Sequence, residues 1–570
     1  MAVRRGGSGA DDGGGRGDDR AGGDHGRDHG DGGGPRGDRA GGDHGRDHDH
    51  GGGLRRTLTF RDLVVYGLLF IAPMAPVGVF GTLDATSHGA VALVYAVATA
   101  AMAFTAFSYA QMVRVAPQAG SVFTYARLGL GEGAGFVAGW MAMLDYLLIP
   151  AVAYLFSGIA MEALVPEVDR WVWTAVAVVV TTGLNLCGVR AAARVGFLVL
   201  AMEIAVLVVF VSAALAQLAV HGARRDWVSP FTAQGSLSLG AVLSAVSVAV
   251  LSYLGFDAIA SFAEEAEDPE EGRAREALPG QGGGRRRVGG SAQVARAGNS
   301  AQVARAGGSA QVARAGGSAQ VARAGGSAQV ARAVLTCLVV AGVLFTAQTY
   351  LAALLSPVPA AELAGDPAKQ GAAFYDTVDA AVGDWLRDLV AVSKAIGAAF
   401  AALAGQAAAA RLVFAMSRDR RLPATLAKVD AHSGVPRRAL LGSGVLTLVA
   451  AVWAARRDDG LDRLVSVVDI GALTAFTLLH ASVIGWFWIR RHADSRHHAN
   501  SRHHADSSHG GRHTERHLLR HLLVPLLGMG ISVAVIVRAS GVAQVVGLIW
   551  CAVGLAVLLA EHRLPARSAR

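Results

Sequence analysis

Six ionisable residues interrupt otherwise apolar stretches of this 570-residue chain: Asp145, Glu203, Asp257, Lys394, Asp469 and His480. An ionisable group at mid-membrane depth costs about 2.5–3.5 kcal/mol on insertion scales, so each needs a physical reason to be there. Asp145, in MLDYLLIP, offers a counter-charge for an ammonium group, with Trp140, Tyr146 or Tyr154 as cation–π walls. Its structural alternative is a hydrogen bond to a neighbouring helix. Glu203 is central in LVLAMEIAVLVV. An apolar setting disfavours a charged carboxyl, which suits a group that takes up and releases a proton; the alternative is a neutral packing residue. Asp257 opens the second half of an interrupted span, where it caps free backbone N–H groups with or without touching a substrate. Lys394 has Asp469 as an expected ion-pair partner, and left unpaired near a binding site it would repel a diamine. His480 reads as a packing or hydrogen-bonding residue ahead of a proton relay.

The elements that must position these groups are long apolar spans, two of them broken. The first broken copy, 63–83 (LVVYGLLFIAPMAPVGVFGTL), is interrupted by Pro73, Pro76 and Gly78; the second, 239–263, is interrupted at 252–256. A helix crossing lipid must satisfy its own backbone, so mid-depth interruptions survive only inside protein or beside a cavity. Paired interruptions in corresponding halves mark the binding site of an inverted-repeat transporter of a small solute. Stretches near the roughly 20 residues needed to span a bilayer fall at 62–83, 90–113, 133–161, 171–187, 195–218, 239–263, 333–355, 386–414, 439–454, 464–489, 518–537 and 542–559, about twelve in all.

Composition and charge agree with a membrane protein. The chain is 52% hydrophobic with a mean hydropathy of +0.38, although its first fifty residues are almost wholly polar. Residues 1–53 contain no apolar core of a cleavable signal. With both termini placed in the cytoplasm, the inside loops collect Arg114, Arg127, Arg190, Arg418, Arg420, Arg421, Arg437 and Arg438, while outside loops hold acids such as Asp366, Asp376 and Asp379. The net charge of +8 therefore orients the chain, and no nucleic-acid partner is needed to explain it. Cys187, Cys337 and Cys551 sit apart in apolar segments and read as packing residues, with no disulfide framework or zinc site.

Three tracts read as sequence expansions. RAGGDHGRDH occurs at 20–29 and 39–48, GGSAQVARA repeats in tandem over 289–333 with Asn299 as a substitution, and SRHHAN precedes SRHHAD at 495–506. They lack the apolar content to build a core, and the glycine pairs should break each nonamer copy as a helix. The expected organisation is a cytosolic tail at 1–53, a membrane domain at 54–562 carrying the repeat insertion at 280–333 and a His/Arg-rich loop at 491–517, and a tail at 563–570.

Six strings in order carry a family resemblance: APMAPVGVFG (72–81), PQAGSVFTYA (117–126), GWMAMLDYLLIP (139–150), LSYLGFDAIASFAEEAEDP (251–269), ARLVFAMSRDRRLP (410–423) and DIGALTAFTLLHASV (469–483). With them the chain resembles permeases of the amino acid–polyamine–organocation superfamily, and within it the bacterial putrescine importers. The resemblance implies an all-α, LeuT-type fold with two inverted five-helix repeats, broken helices 1 and 6, and two trailing helices. It implies alternating access driven by protons or by exchange. Substrate is then expected around Ala72, Met74, Ala75, Gly78, Asp145, Tyr146, Tyr253, Gly255, Phe256 and Asp257, with Phe256 similar to an aromatic gate and Glu203 to the proton-coupling residue. Glu264, Glu265 and Asp268 are expected to make gate contacts with arginines. Two features depart from the pattern. Prolines 73 and 76 remove two N–H donors from a break that in amino-acid members holds a carboxylate, which fits a substrate without one. The insertion at 280–333 replaces a short loop.

The leading expectation is a proton-coupled importer of putrescine or a related small amine in the plasma membrane, with no cofactor and no metal. An amino-acid permease of the same fold is the nearest alternative; a transporter-like nutrient sensor or a channel is a further one. A membrane-embedded enzyme lacks a nucleophile or metal constellation, since the His clusters lie in the repeats.

Overall fold

With no water at mid-bilayer to satisfy it, the backbone must close its hydrogen bonds within each segment, and the described elements are helices joined by short turns. The computed structural model describes residues 58–116, 121–187, 189–235, 237–262, 266, 303–419, 421–428, 436–490 and 518–563. All fall in one compact unit, Gly53–Arg570. The tail at 1–53, the loop at 491–517, the end of the chain beyond 563, and Glu264, Glu265 and Asp268 lie outside the described residues.

The first span starts at α1 (Phe60–Ile71), whose Thr59 and Asp62 form a reciprocal cap. It breaks at Ala72, turns tightly through Ala75–Gly78 and resumes as α2 (Phe80–Thr86). Then follow α3 (Val91–Val115), α4 (Ser121–Leu130), α5 (Glu132–Leu164), α6 (Arg170–Cys187) and α7 (Val189–His221). The second broken span is α8 (Leu239–Val250), a tight turn at Leu251–Tyr253 and another at Asp257–Phe262. The second half contains α9 (Val303–Leu355), α10 (Pro367–Ala381), α11 (Asp384–Arg418), α12 (Arg437–Ala455), α13 (Gly460–Ile484), α14 (Val524–Arg538) and α15 (Gly541–Arg563). The long helix α5 is the hub, packed against α4, α6, α11, α12 and α13, while α3 lies along α9 and α1 is held by α7, α9 and α11.

The protein is an all-α integral membrane protein. Among the described residues ten helices are long and apolar enough to cross a membrane, where the sequence predicts about twelve. The apolar run beginning at Leu239 falls short because the chain breaks at its C-terminal end, and α6 spans 18 residues, Arg170–Cys187.

Charged residues brace both ends of the bundle. At one end Arg225 donates to both oxygens of Asp84 (2.9 and 2.8 Å) and also to Ser356 and the Val358 carbonyl, with Asp84 fully buried. At the other, Arg127 pairs with Asp419 and Arg421 with Glu132, and Leu58 bridges to Ala266.

The nonamer array corrects two expectations. Helix α9 runs unbroken from Val303, through glycine pairs expected to break it. A packed span below it supplies the costly nucleus, so each added residue needs only propagation, which the penalty of about 1 kcal/mol per glycine does not stop. Buried residues of the seventh span also extend N-terminal to the expected start at 333. In that last copy Ser327, Val330 and Ala331 are buried, and Gly326 sits against the Ala266 carbonyl.

Deletion of 289–324 should therefore leave expression and thermal stability near the parent values, whereas deletion through Ala333 should abolish both; fluorescence-detected size-exclusion chromatography distinguishes them. Replacing Arg225 with Met strands a buried carboxylate and should lower stability by about 3–5 kcal/mol, read as a lowered unfolding midpoint that the double variant with Asp84→Leu largely restores.

Candidate functional site

The first break is made by Ala72, which takes a left-handed conformation (φ 56°) before Pro73. Breaking the helix releases main-chain carbonyls, and each finds a buried donor from the second half of the chain. Gln348 donates to the Pro73 carbonyl at 2.9 Å. The Lys394 ammonium donates to Met74 and Ala75 carbonyls at 3.1 and 3.4 Å. It also stands 5.0 Å from the centre of the Phe156 ring. A cation at the carbonyl end of a half-helix is electrostatically favoured.

At the second break Gly255 has φ +111°, and a Cβ there would press on Phe70, so glycine is required for two reasons. Asp257 receives the donors: Tyr146 at 2.6 Å and Tyr109 at 3.3 Å on one oxygen, the Gly255 N–H at 3.3 Å on the other. The backbone bond runs back to an N–H that precedes it, so in place of the expected cap on the following turn Asp257 anchors the break to α3 and α5.

Two adjoining cavities of about 50 and 60 Å³ lie between the breaks and share Phe70, Ile149, Ala153, Leu254 and Ala401. One is bordered by Asp145, Tyr146, Gly255 and Asp257; the other by Ala72, Ala75, Ser252, Phe156 and Lys394. Helix α5 lines them with Asp145, Ile149, Ala153 and Phe156, and α11 with Lys394, Ala398, Ala401 and Gly405, both at helical spacing. The Asp145 side chain is buried, its Oδ1 accepts no hydrogen bond, and its charged neighbours are Asp257 and Asp469. The cavity thus has a carboxyl end, an apolar waist and an ammonium end. That arrangement favours an organic cation at the carboxyl end, where a buried acceptor otherwise lacks a partner.

Glu203 on α7 is fully buried beside the cavity wall, and neither carboxyl oxygen makes a hydrogen bond. It rests on Gly397 of α11, where any Cβ would collide with the carboxyl. Its charged neighbour is Lys394, one helical turn away on the same helix as Gly397.

The other expected site residues are placed as follows. Met74 is buried and contributes its carbonyl. Gly78 underlies the Phe156 ring and borders a third cavity. The Tyr253 hydroxyl bonds Thr99 and the Tyr95 carbonyl, away from both central cavities. Phe256 is fully buried against Tyr109 and Phe476 and lines neither of them. Trp140 stacks on Trp550 of α15, each indole donating to the other's carbonyl, and Tyr154 bonds Thr181 on α6, so neither is a wall of the site. Lys394 faces Glu203 and the first break and does not pair with Asp469, which lies near Asp145. His480 is bonded on both ring nitrogens by Thr105 and Ser108 and capped by Gly528, as a hydrogen-bonded packing residue would be. Cys337 is buried and free, and Cys551 is also free. Among the described residues no cluster of three or more His, Cys, Asp or Glu could hold a metal.

Phe70, Ile149, Ala153 and Phe156 were not singled out from the sequence. The signal available was the spacing from Asp145, since positions 149, 153 and 156 share its face of the helix.

Two family models match this chain, both described as amino acid permease, one over residues 63–273 and one over 316–557. The low-affinity putrescine importer PlaP of Escherichia coli (strain K12) is 25% identical over 513 residues, covering 89% of this chain and 93% of that protein. The branched-chain amino acid permease BcaP of Bacillus subtilis (strain 168) is 25% identical, and the methylthioribose transporter of the same organism 27%; each alignment covers 76% of this chain and 81% of the relative. The matched regions span both breaks and every helix that borders the cavity, which makes the molecule a multi-pass membrane transporter and not an enzyme, and the family implies the LeuT-type fold. The chain belongs to the amino acid permease family of the amino acid–polyamine–organocation superfamily, transporters of amino acids or polyamines.

Proposed function

We propose that this transporter imports putrescine or a related small amine across the plasma membrane by proton symport, with both termini in the cytoplasm. The observation that carries the reading is the buried Asp145 carboxyl, unbonded at one oxygen and bordering a cavity whose nearby Asp257 is already saturated with donors. Pro73 and Pro76 have no N–H to offer, and the Ala75 and Val77 N–H groups are already bonded to the Ala72 and Met74 carbonyls at 2.8 and 3.2 Å, which leaves few donors in the first break for a substrate carboxylate. The relative PlaP, named as a putrescine importer, agrees. Glu203 supports the coupling. It has no hydrogen bond of its own and neighbours the one ammonium that holds the first break, so its charge state acts on that break through Lys394. The second reading, an amino-acid permease, is favoured by Lys394 at the far end of the cavity and by the relative BcaP. Uptake of labelled putrescine into proteoliposomes, with and without an inward proton gradient and against competing amino acids, tests the choice. Stronger competition by a zwitterionic amino acid than by diamines would overturn the amine reading.

Replacing Asp145 with Asn keeps the side-chain shape and removes the charge. It should raise the KM for putrescine about 10- to 100-fold, the scale of one charged hydrogen bond, and change neutral amino-acid binding far less. Equal losses for both would make Asp145 a structural residue.

Glu203→Gln mimics the neutral carboxyl and cannot cycle. Substrate binding and counterflow exchange should persist, while accumulation driven by an inward proton gradient should be lost. The check is the pH dependence of uptake in parent and variant; an unchanged profile would assign the proton elsewhere.

A further inference from the structure

Beyond Gly78 the first span borders a third and larger cavity, of about 240 Å³, at the end of the bundle where Arg170 meets Asp458. It shares no lining residue with the two central cavities. Helix α5 passes from one to the other within a turn: Ala153 and Phe156 border the central space, Ile159 and Glu162 the outer one. Phe156 is the side chain at the divide. Its ring lies against Gly78 so closely that a Cβ on that glycine would come within 2.7 Å of two ring carbons, and Gly78 itself borders the outer cavity.

We propose that Phe156 is the movable partition of this transporter: its ring, seated on Gly78, separates the outer cavity from the central one and swings aside to admit the amine. Three features fit that role. A ring on one side chain closes the passage without any main-chain movement. The floor beneath it is glycine, whose missing Cβ leaves the space the closed ring occupies. The ring face is held by Lys394 at 5.0 Å, and an organic ammonium passing beside it meets the same attraction, so transit exchanges one cation–π contact for another. Phe256, packed between Tyr109 and Phe476, borders none of the three cavities.

The inference rests on the central cavity being the substrate site, and its test does not depend on transport. Ala153→Cys puts a thiol on the wall shared by both central cavities. Cys187 and Cys551 are replaced by Ala in the full-length protein, while buried Cys337 is kept as a reporter of unfolding. The rate of modification by a positively charged methanethiosulfonate is measured on purified protein. Adding Phe156→Ala should speed labelling about tenfold or more, as expected for removal of a gating element, and Phe156→Tyr should leave it near the parent rate. Gly78→Val wedges the ring off its seat from the opposite side and should also speed labelling. Should Phe156→Ala unfold, seen as modification of Cys337, the Gly78→Val arm decides alone. Equal rates with the ring in place and displaced would overturn the partition. Protection of the introduced thiol by putrescine reports separately on the amine reading: its absence counts against that function while the rate comparison still judges Phe156.

Discussion

Main-chain polar groups released inside a bilayer must be satisfied by protein, and the rest of this molecule is arranged around that constraint. The first break turns carbonyls inward, so a cation and an amide from the second half of the chain come to meet them: Lys394 at Met74 and Ala75, Gln348 at Pro73. The second break turns an N–H inward, so an anion, Asp257, closes it with help from two tyrosines. Each break thus recruits a group of the sign its exposed end prefers. The consequence for chemistry is a division of labour among the carboxyls. Asp257 is spent on structure, and Asp145, one residue from the tyrosine that binds Asp257, retains an acceptor oxygen.

The space between the breaks depends on small residues opposite large ones. Ala398, Ala401 and Gly405 on α11 face Asp145, Ile149 and Phe156 on α5 across the cavity. Gly397 on α11 makes room for Glu203, and Gly405 lies against Pro150. Pro150 lacks the N–H that would have bonded the Tyr146 carbonyl, which loosens α5 just beside Asp145 without ending it. Interiors packed to crystal-like density transmit such substitutions directly, so a change of one methyl group on this face alters the site.

Elsewhere the bundle is closed by contacts that have no role in the cavity. The reciprocal Trp140–Trp550 pair fastens α15 to α5, and His480 fastens α13 to α3. The buried Asp84–Arg225 pair joins the second half of the first span to the chain leaving α7 and α9. These groups look chemically active in a linear reading because membrane segments so rarely contain them.

Much of this was legible in the residues alone. Apolar length determines the helical membrane class, and Pro73 and Pro76 in one span and the Ser252–Phe256 interruption with its Gly255 in the other mark the two breaks, because lipid allows so few ways to satisfy a backbone. The same logic marks Asp145, Glu203, Asp257 and Lys394 as residues that need partners. Which partner each one takes was decided only by the tertiary structure. Lys394 meets the first break and Glu203 where Asp469 was expected; Trp140 and Tyr154 turn away from the cavity; Phe256 packs, and Phe156, in a run of equally apolar neighbours, stands at the cavity wall. The last nonamer, indistinguishable in sequence from the first and third to fourth copies, is built into a span because it alone adjoins one. Burial imposes the need for a partner through local composition, but the identity of that partner depends on which helix faces meet, and helices hundreds of residues apart meet only in the folded bundle.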